Sequence, residues 1–183
     1  MAIAAVRSAQ LADVDDIVRI QSVTWRAAYT GLVPDEAIAQ LDGPQARQAW
    51  TDAVAAAVSD GTPGGNAFHV LVATEGEWTV GFCAAAGYRG EGGTIAEVST
   101  LLVEPRWGRR GHGGRLLAHA AAALRAGGAE RGRAWVPEPD AASLRFYGTA
   151  GWEPDGAART LDTGDGALRE LRVSGPLDLA LKE

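Results

Sequence analysis

The chain of 183 residues holds one cysteine, Cys83. An internal disulfide and a cysteine-built metal cluster are therefore both excluded. Cys83 lies in a Gly-Phe-Cys-Ala-Ala-Ala run that reads as buried strand, which makes it a small core residue rather than a nucleophile. Lysine is as scarce: Lys182 stands alone against sixteen arginines, a skew that fits coding bias better than function. No apolar run reaches the roughly 18 to 20 residues of a membrane-spanning helix. The opening segment lacks a basic-then-apolar leader, since Arg7 is followed by Asp13, Asp15 and Asp16, and a cytoplasmic location is expected. Basic charge is short overall, with a net charge of -6, which argues against a nucleic-acid surface. Neither an internal repeat nor a domain linker is visible, so one domain over residues 1–183 is expected.

What is present is unevenly placed. Arg106, Arg109, Arg110, Arg115 and His112 fall close together, while the stretches at 13–16, 35–42 and 52–60 are acidic or neutral. An acidic molecule with one basic loop suits an anionic, phosphorylated ligand on one side and a cationic one on another. The loop itself is the strongest signal. An apolar run ends at Val103-Glu104-Pro105, then Gly108-Arg109-Arg110-Gly111-His112-Gly113-Gly114 leads into the alanine-rich helical pattern from Arg115. This is a strand, an anion-binding loop and a helix N-terminus in succession, and the free amides of such a helix start suit a pyrophosphate. Glycines at 111 and 113 let the backbone approach the anion closely. A P-loop lysine and its Ser/Thr are missing after Gly113, and no acidic ribose ligand follows a dinucleotide fingerprint, so other nucleotide sites fit poorly.

Periodicity predicts a strand at Ala2–Val6, a helix ending near Tyr29, a helical turn from Pro34-Asp35-Glu36 and a helix over 44–59. The stretch 60–66 reads as a loop. Strands are expected at Phe68–Thr74, Trp78–Ala86 and Thr94–Val103, then a helix over 112–126 stopped by Gly127-Gly128. A strand at Arg133–Pro137, a helix at Ala141–Ala150 and strands near 157–162 and 167–174, around the turn 162–166, complete the chain. Hairpins mixed with crossover helices imply a mixed sheet flanked by helices.

Two stretches, Ala96–Leu117 and Asp140-Ala141-Ala142-Ser143-Leu144-Arg145-Phe146-Tyr147-Gly148-Thr149-Ala150-Gly151-Trp152, resemble the GNAT acyltransferase superfamily in order and separation. The segment Trp25…Tyr29-x-Gly31…Pro34 is similar to one branch of it. The resemblance implies an α/β (α+β) fold with a central mixed, mostly antiparallel sheet of about six to seven strands, split after strand 4. It implies acetyl-CoA as cosubstrate, no metal, a primary amine of a small molecule or peptide as acceptor, and neither nucleic acid nor membrane as partner. Homodimers are common among proteins of this kind. Carried over residue by residue, Leu101, Leu102 and Val103 would bond the thioester arm through their backbone. The amides of Arg109, Arg110, Gly111, His112, Gly113 and Gly114 would hold the pyrophosphate, with Asp140 and Ser143 beside the cofactor. Tyr147 would sit near the sulfur as general acid, and Trp25 and Tyr29 would cover the acceptor.

The chemistry supports these roles independently. A tyrosine, with an ordinary pKa about 10, is protonated at neutral pH and can donate to a departing thiolate. The incoming amine must lose a proton. Glu97, directly or through water, is the first candidate base, with Glu138, Asp140 and His112 behind it. Glu97 reads equally well as a paired structural carboxylate. The chain departs from the pattern at Gly108, where Gln or Arg is usual, at Asp140 for Asn and at Ser143 for Ala. Where some members carry a basic-role Glu on the strand after the loop helix, this chain has Trp135. These departures motivate a second reading, a CoA-binding or sensing module without turnover.

Overall fold

The computed structural model describes residues 3–59, 67–164 and 166–179. The expected loop 60–66, residue Ala2 of the expected first strand and Asp165 of the expected turn lie outside these. Strand β1 (Ala4–Ser8) leads through a 3-10 turn into α1 (Val14–Tyr29), α2 (Asp35–Ala39) and α3 (Pro44–Ser59). Asp15 and Asp16 sit at the positive end of α1, and Pro44 opens α3 where its missing N–H costs nothing. Strands β2 (Phe68–Glu75), β3 (Trp78–Gly90) and β4 (Gly93–Val103) form a meander, followed by α4 (His112–Ala126), β5 (Arg131–Pro137), α5 (Ala141–Thr149), β6 (Glu153–Asp162) and β7 (Ala167–Pro176). None of the described helices is long and apolar enough to cross a membrane.

One seven-stranded sheet runs in the order β1-β2-β3-β4-β5-β7-β6. Its only parallel pair, β4 with β5, spans just Ala96↔Gly132, Glu97↔Arg133 and Val98↔Ala134. Beyond Val98 the strands part, which is the split expected after strand 4. A bulge falls at the same level: Ala84 pairs with Thr100 and Ala85 with Val98, leaving Ser99 extra, its hydroxyl donating to Ala84 O at 3.1 Å. The extra residue shifts the side-chain alternation of β4, so Ala96 and Val98 before it and Leu101 after it all belong to one face.

Both faces of the sheet are covered. On one, the α4 stripe Leu116, Leu117, Ala120, Ala121 and Leu124 packs with Cys83, Val98 and Trp152. Burial pushes the Cys83 thiol up to about 12, as suits an inert core residue. On the other face, Ile17, Val18 and Ile20 of α1 pack with Val54 of α3 and with Val72 and Phe82. A smaller cluster joins Tyr29, Val33 and Ile38 to Leu168 of β7, which brings the end of α1 and α2 over the far half of the sheet.

Several boundaries differ from the periodicity. β3 runs on to Gly90 rather than stopping at Ala86, because Gly87-Tyr88-Arg89 still pairs with Thr94–Ala96. β5 starts at Arg131 rather than Arg133. Gly132 looks like a turn residue but is a contact residue, since a Cβ there would meet the Trp152 ring at 2.6 Å. β6 starts at Glu153, because Pro154 still pairs with Val173 and Asp155-Gly156-Ala157 is a bulge inside the strand and not a turn before it. Gly156 adopts φ 92° there. β7 extends to Pro176, and β1 sits two residues later than expected, at Ala4–Ser8.

Candidate active site at the split in the sheet

The split exposes β4 backbone that a neighbouring strand would otherwise cover, since β4 pairs with β5 only as far as Val98. Two cavities meet there. The first runs from Leu101 and Val103 along Trp107, Arg109 and the α4 N-terminus to Ala142, Ser143 and Phe146 of α5. The second, narrower, lies on the other side of the β4 end, among Gln21, Trp25, Tyr29, Val98–Leu102, Trp135–Pro137, Ser143, Tyr147 and Glu170. Leu101 and Ser143 line both, so the two lie side by side at the split.

The loop before α4 is shaped for an anion. Gly111 caps the helix in the left-handed region, φ 79°, and Arg109 also takes φ 62°. The first helical bond runs from Arg115 N to Gly111 O, so the amides of His112, Gly113 and Gly114 point out of the helix end. A Cβ at Gly113 would stand 3.2 Å from Phe146 Cε2, so a larger residue would push this amide edge and α5 apart by a few tenths of an ångström. The residues present thus fit a pyrophosphate cradled by backbone N–H groups. The side chains are largely engaged elsewhere. Arg110 pairs with Glu75 at 3.1 Å and stacks on Trp107 at 4.9 Å. Arg115 donates to Arg110 O at 3.1 Å. His112, fully buried, meets Glu75 Oε2 through Nε2 at 2.8 Å, and its Nδ1 has no partner among the described residues. Arg110 lines neither cavity, whereas Arg109, Gly111, His112, Gly113 and Gly114 line the first.

In the second cavity Tyr147 is buried, stacked on Trp152 at 5.5 Å and set edge-on to Phe146. Among the described residues its hydroxyl has no hydrogen-bond partner. Burial, reinforced by neighbouring Cys83, Tyr29 and Asp140, raises its pKa well above the ordinary tyrosine value, which keeps the proton on the ring oxygen. Tyr29 is raised too, by burial first and then by donating to Asp140 Oδ2 at 2.7 Å. Trp25 lies edge-on to Tyr29, centroids 4.7 Å apart. Both expected acceptor-side aromatics therefore line this cavity.

Besides Arg110, two other expected site residues, Asp140 and Glu97, are not among the cavity-lining residues. Asp140 lines neither cavity. Its Oδ1 accepts from Ser143 N at 3.0 Å, and its Oδ2 accepts from both Ser143 Oγ and Tyr29 Oη at 2.7 Å. It caps α5 and ties that helix to α1. Glu97 is not among the cavity-lining residues either; its Oε2 accepts from Arg133 Nε at 2.7 Å, and Arg133 also reaches Tyr88 Oη. Trp135, Glu170 and Glu75 are among the residues of the site that the sequence reading did not assign. Trp135 forms part of the cavity wall, with Arg159 over its ring at 4.4 Å. Glu170 is buried beside it. Glu75, on the β2–β3 hairpin, fastens the anion loop. Only Trp135 carried a signal, as the aromatic standing where some similar proteins have a carboxylate. Glu170 alternates with Arg169 and Leu171 as a solvent-facing residue would, and nothing local marks Glu75.

The model of the Acetyltransferase (GNAT) family matches residues 26–152 of this chain. No curated protein matches it by sequence. Among solved structures it is similar to the PaiA N-acetyltransferase of Thermoplasma acidophilum in complex with coenzyme A, at 16% identity and TM-score 0.75, covering 93% of this chain and 98% of that one. It is also similar to the ribosomal-protein-alanine N-acetyltransferase of Brucella melitensis, at 22% identity and TM-score 0.70, covering 94% and 99%. A third is YncA of Salmonella typhimurium, solved with its cofactor acetyl-CoA, at 20% identity and TM-score 0.65, covering 96% and 94%.

Proposed function

The chain belongs to the GNAT acetyltransferase family, and from that premise we propose that it transfers the acetyl group of acetyl-CoA to a primary amine, with the Tyr147 hydroxyl as general acid. The observation that carries this reading is that the two cavities share Leu101 and Ser143 at the split, with Tyr147 lining the second and the glycine loop lining the first. The amides of Arg109 to Gly114 hold the pyrophosphate. The uncovered edge of Leu101 to Val103 bonds the thioester arm and directs N–H groups at the carbonyl oxygen as it gains charge. Ser143 borders the arm where the cavities join. Trp25 and Tyr29 form the acceptor wall. Tyr147 is neutral and has no competing partner among the described residues, so it can donate to the sulfur as the thiol leaves.

Calorimetric titration with acetyl-CoA tests the cofactor half of this reading, using wild type and a Gly111→Asp/Gly113→Asp variant. The wild type binds in the micromolar range and the variant does not; a folded wild type that binds no acetyl-CoA ends the proposal. Thiol release with a panel of aliphatic amines and alanyl peptides tests the acceptor half.

A further inference from the structure

We infer that Glu170 is the acceptor-side carboxylate of this site, holding the incoming amine as its ammonium ion and then taking the proton that the amine must lose. The inference rests on the acetyl-transfer reading and deepens it by naming the acceptor's charge and the group that meets it.

Among the described side chains lining the second cavity Glu170 is the only one that carries a charge, and no described Arg lines it. It is 8% exposed. Arg159 holds Oε2 through Nε, and Oε1 has no partner among the described residues. Arg159 is itself anchored over the Trp135 ring at 4.4 Å, so the carboxylate is held in one orientation while half of it stays available. Trp25, Tyr29 and Trp135 supply aromatic surface around it. A buried carboxylate among aromatic faces is the arrangement that recognises an ammonium group. An acceptor presenting its own carboxylate there would meet like charge in a desolvated site. Glu97 does not compete for this place, because Arg133 holds it outside the cavity.

The step balances as follows. The ammonium gives one proton to Glu170 Oε1, and the freed lone pair attacks the thioester carbonyl carbon. The C–N bond forms, the C–S bond breaks, and the sulfur takes the Tyr147 proton to leave as thiol. The second proton of the former ammonium passes from the product nitrogen back to Tyr147, and Glu170 releases its own to solvent.

The probe is n-butylammonium, titrated into the CoA-saturated protein and followed by tryptophan fluorescence, which Trp25 and Trp135 report. The wild type shows a saturable change that neutral n-butanol does not produce. Glu170→Gln weakens butylammonium binding about tenfold or more and leaves the acetyl-CoA Kd within about twofold. Arg159→Gln, at a half-exposed position, frees the second oxygen and tightens butylammonium binding. It serves as the deciding variant if Glu170→Gln does not fold. Equal binding of butanol, wild-type affinity in Glu170→Gln, or no tightening in Arg159→Gln overturns the inference. In the amine panel, kcat/KM of Glu170→Gln falls about a hundredfold, and a variant as active as wild type refutes the proton step. A wild type that binds acetyl-CoA and butylammonium but acetylates nothing ends the acetyl-transfer reading alone.

Discussion

Tyr147 owes its setting to three neighbours at once: the Trp152 ring beneath it, Phe146 edge-on beside it, and Cys83 in the core nearby. Replacing it by Phe keeps every apolar contact and removes only the oxygen. Tyr147→Phe should therefore bind acetyl-CoA with an unchanged Kd while kcat drops about a hundredfold or more; an undiminished kcat would mean that the thiolate leaves without this proton. Gly113 makes a second prediction at this scale. The Cβ of Gly113→Ala lands 3.2 Å from Phe146 Cε2, so the helix start must move off α5 by a few tenths of an ångström. Weaker acetyl-CoA binding with little loss of Tm is expected, because the displaced amides matter for the anion more than for the fold. Calorimetry and a melting curve on the same sample check both halves.

At the scale of elements, the β2–β3 hairpin turns out to be part of the anion loop. Glu75 ends β2, and its two oxygens hold Arg110 and the buried His112. Glu75→Ala leaves His112 buried with neither ring nitrogen paired, a cost of about 1–3 kcal/mol. Both Tm and acetyl-CoA affinity should fall, unlike the affinity-only loss of Gly113→Ala. Trp152 links other elements: a Cβ on Gly132 or Gly175 would meet its ring at 2.6 or 2.4 Å. Gly132→Ala should cost about 1–3 kcal/mol by overpacking, readable as a lowered Tm. These pairs also explain what was legible in the sequence. α1 and α4 could be read because their apolar spacing and end signals are local, and the glycine loop because its chemistry sits in one stretch. The β6 start and the first residues of β5 could not. Gly156 and Gly132 look like turn glycines until the partner strand and the Trp152 ring are in place. Glu170 and Glu75 were hidden for the same reason, since their burial comes from elements distant in the chain.

For the whole molecule, ion pairs join units that the sheet alone would leave loosely attached. Arg19 of α1 reaches Asp16, Glu104 and Thr79 O, while Arg7 of β1 grips Asp13 with both nitrogens, at 2.7 and 2.8 Å. Burial pushes the Asp13 carboxyl up, but Arg7 and the Gln10 amide together outweigh it and hold the group below the ordinary carboxylate range. A depressed carboxylate stabilises the fold above its unfolded pKa, about 3.9, and that stability fades as pH falls through the folded value. Asp13→Asn should melt several degrees below wild type at pH 7, with the gap narrowing below about pH 4. A gap that stays constant down to pH 2 would show that the pair adds nothing. The parallel seam of three residues between β4 and β5 has a mechanical consequence. The sheet is two leaves stitched at one short hem, so a tensile load across it would fall on few backbone bonds and on the packing that bridges the leaves. An acetyl-CoA arm laid along the open edge of β4 would act as a rivet as well as a reactant. At a hundred times its Kd it would add about 2.7 kcal/mol to the resistance of the fold, and the leaves would become free to spread again each time the spent thiol departed.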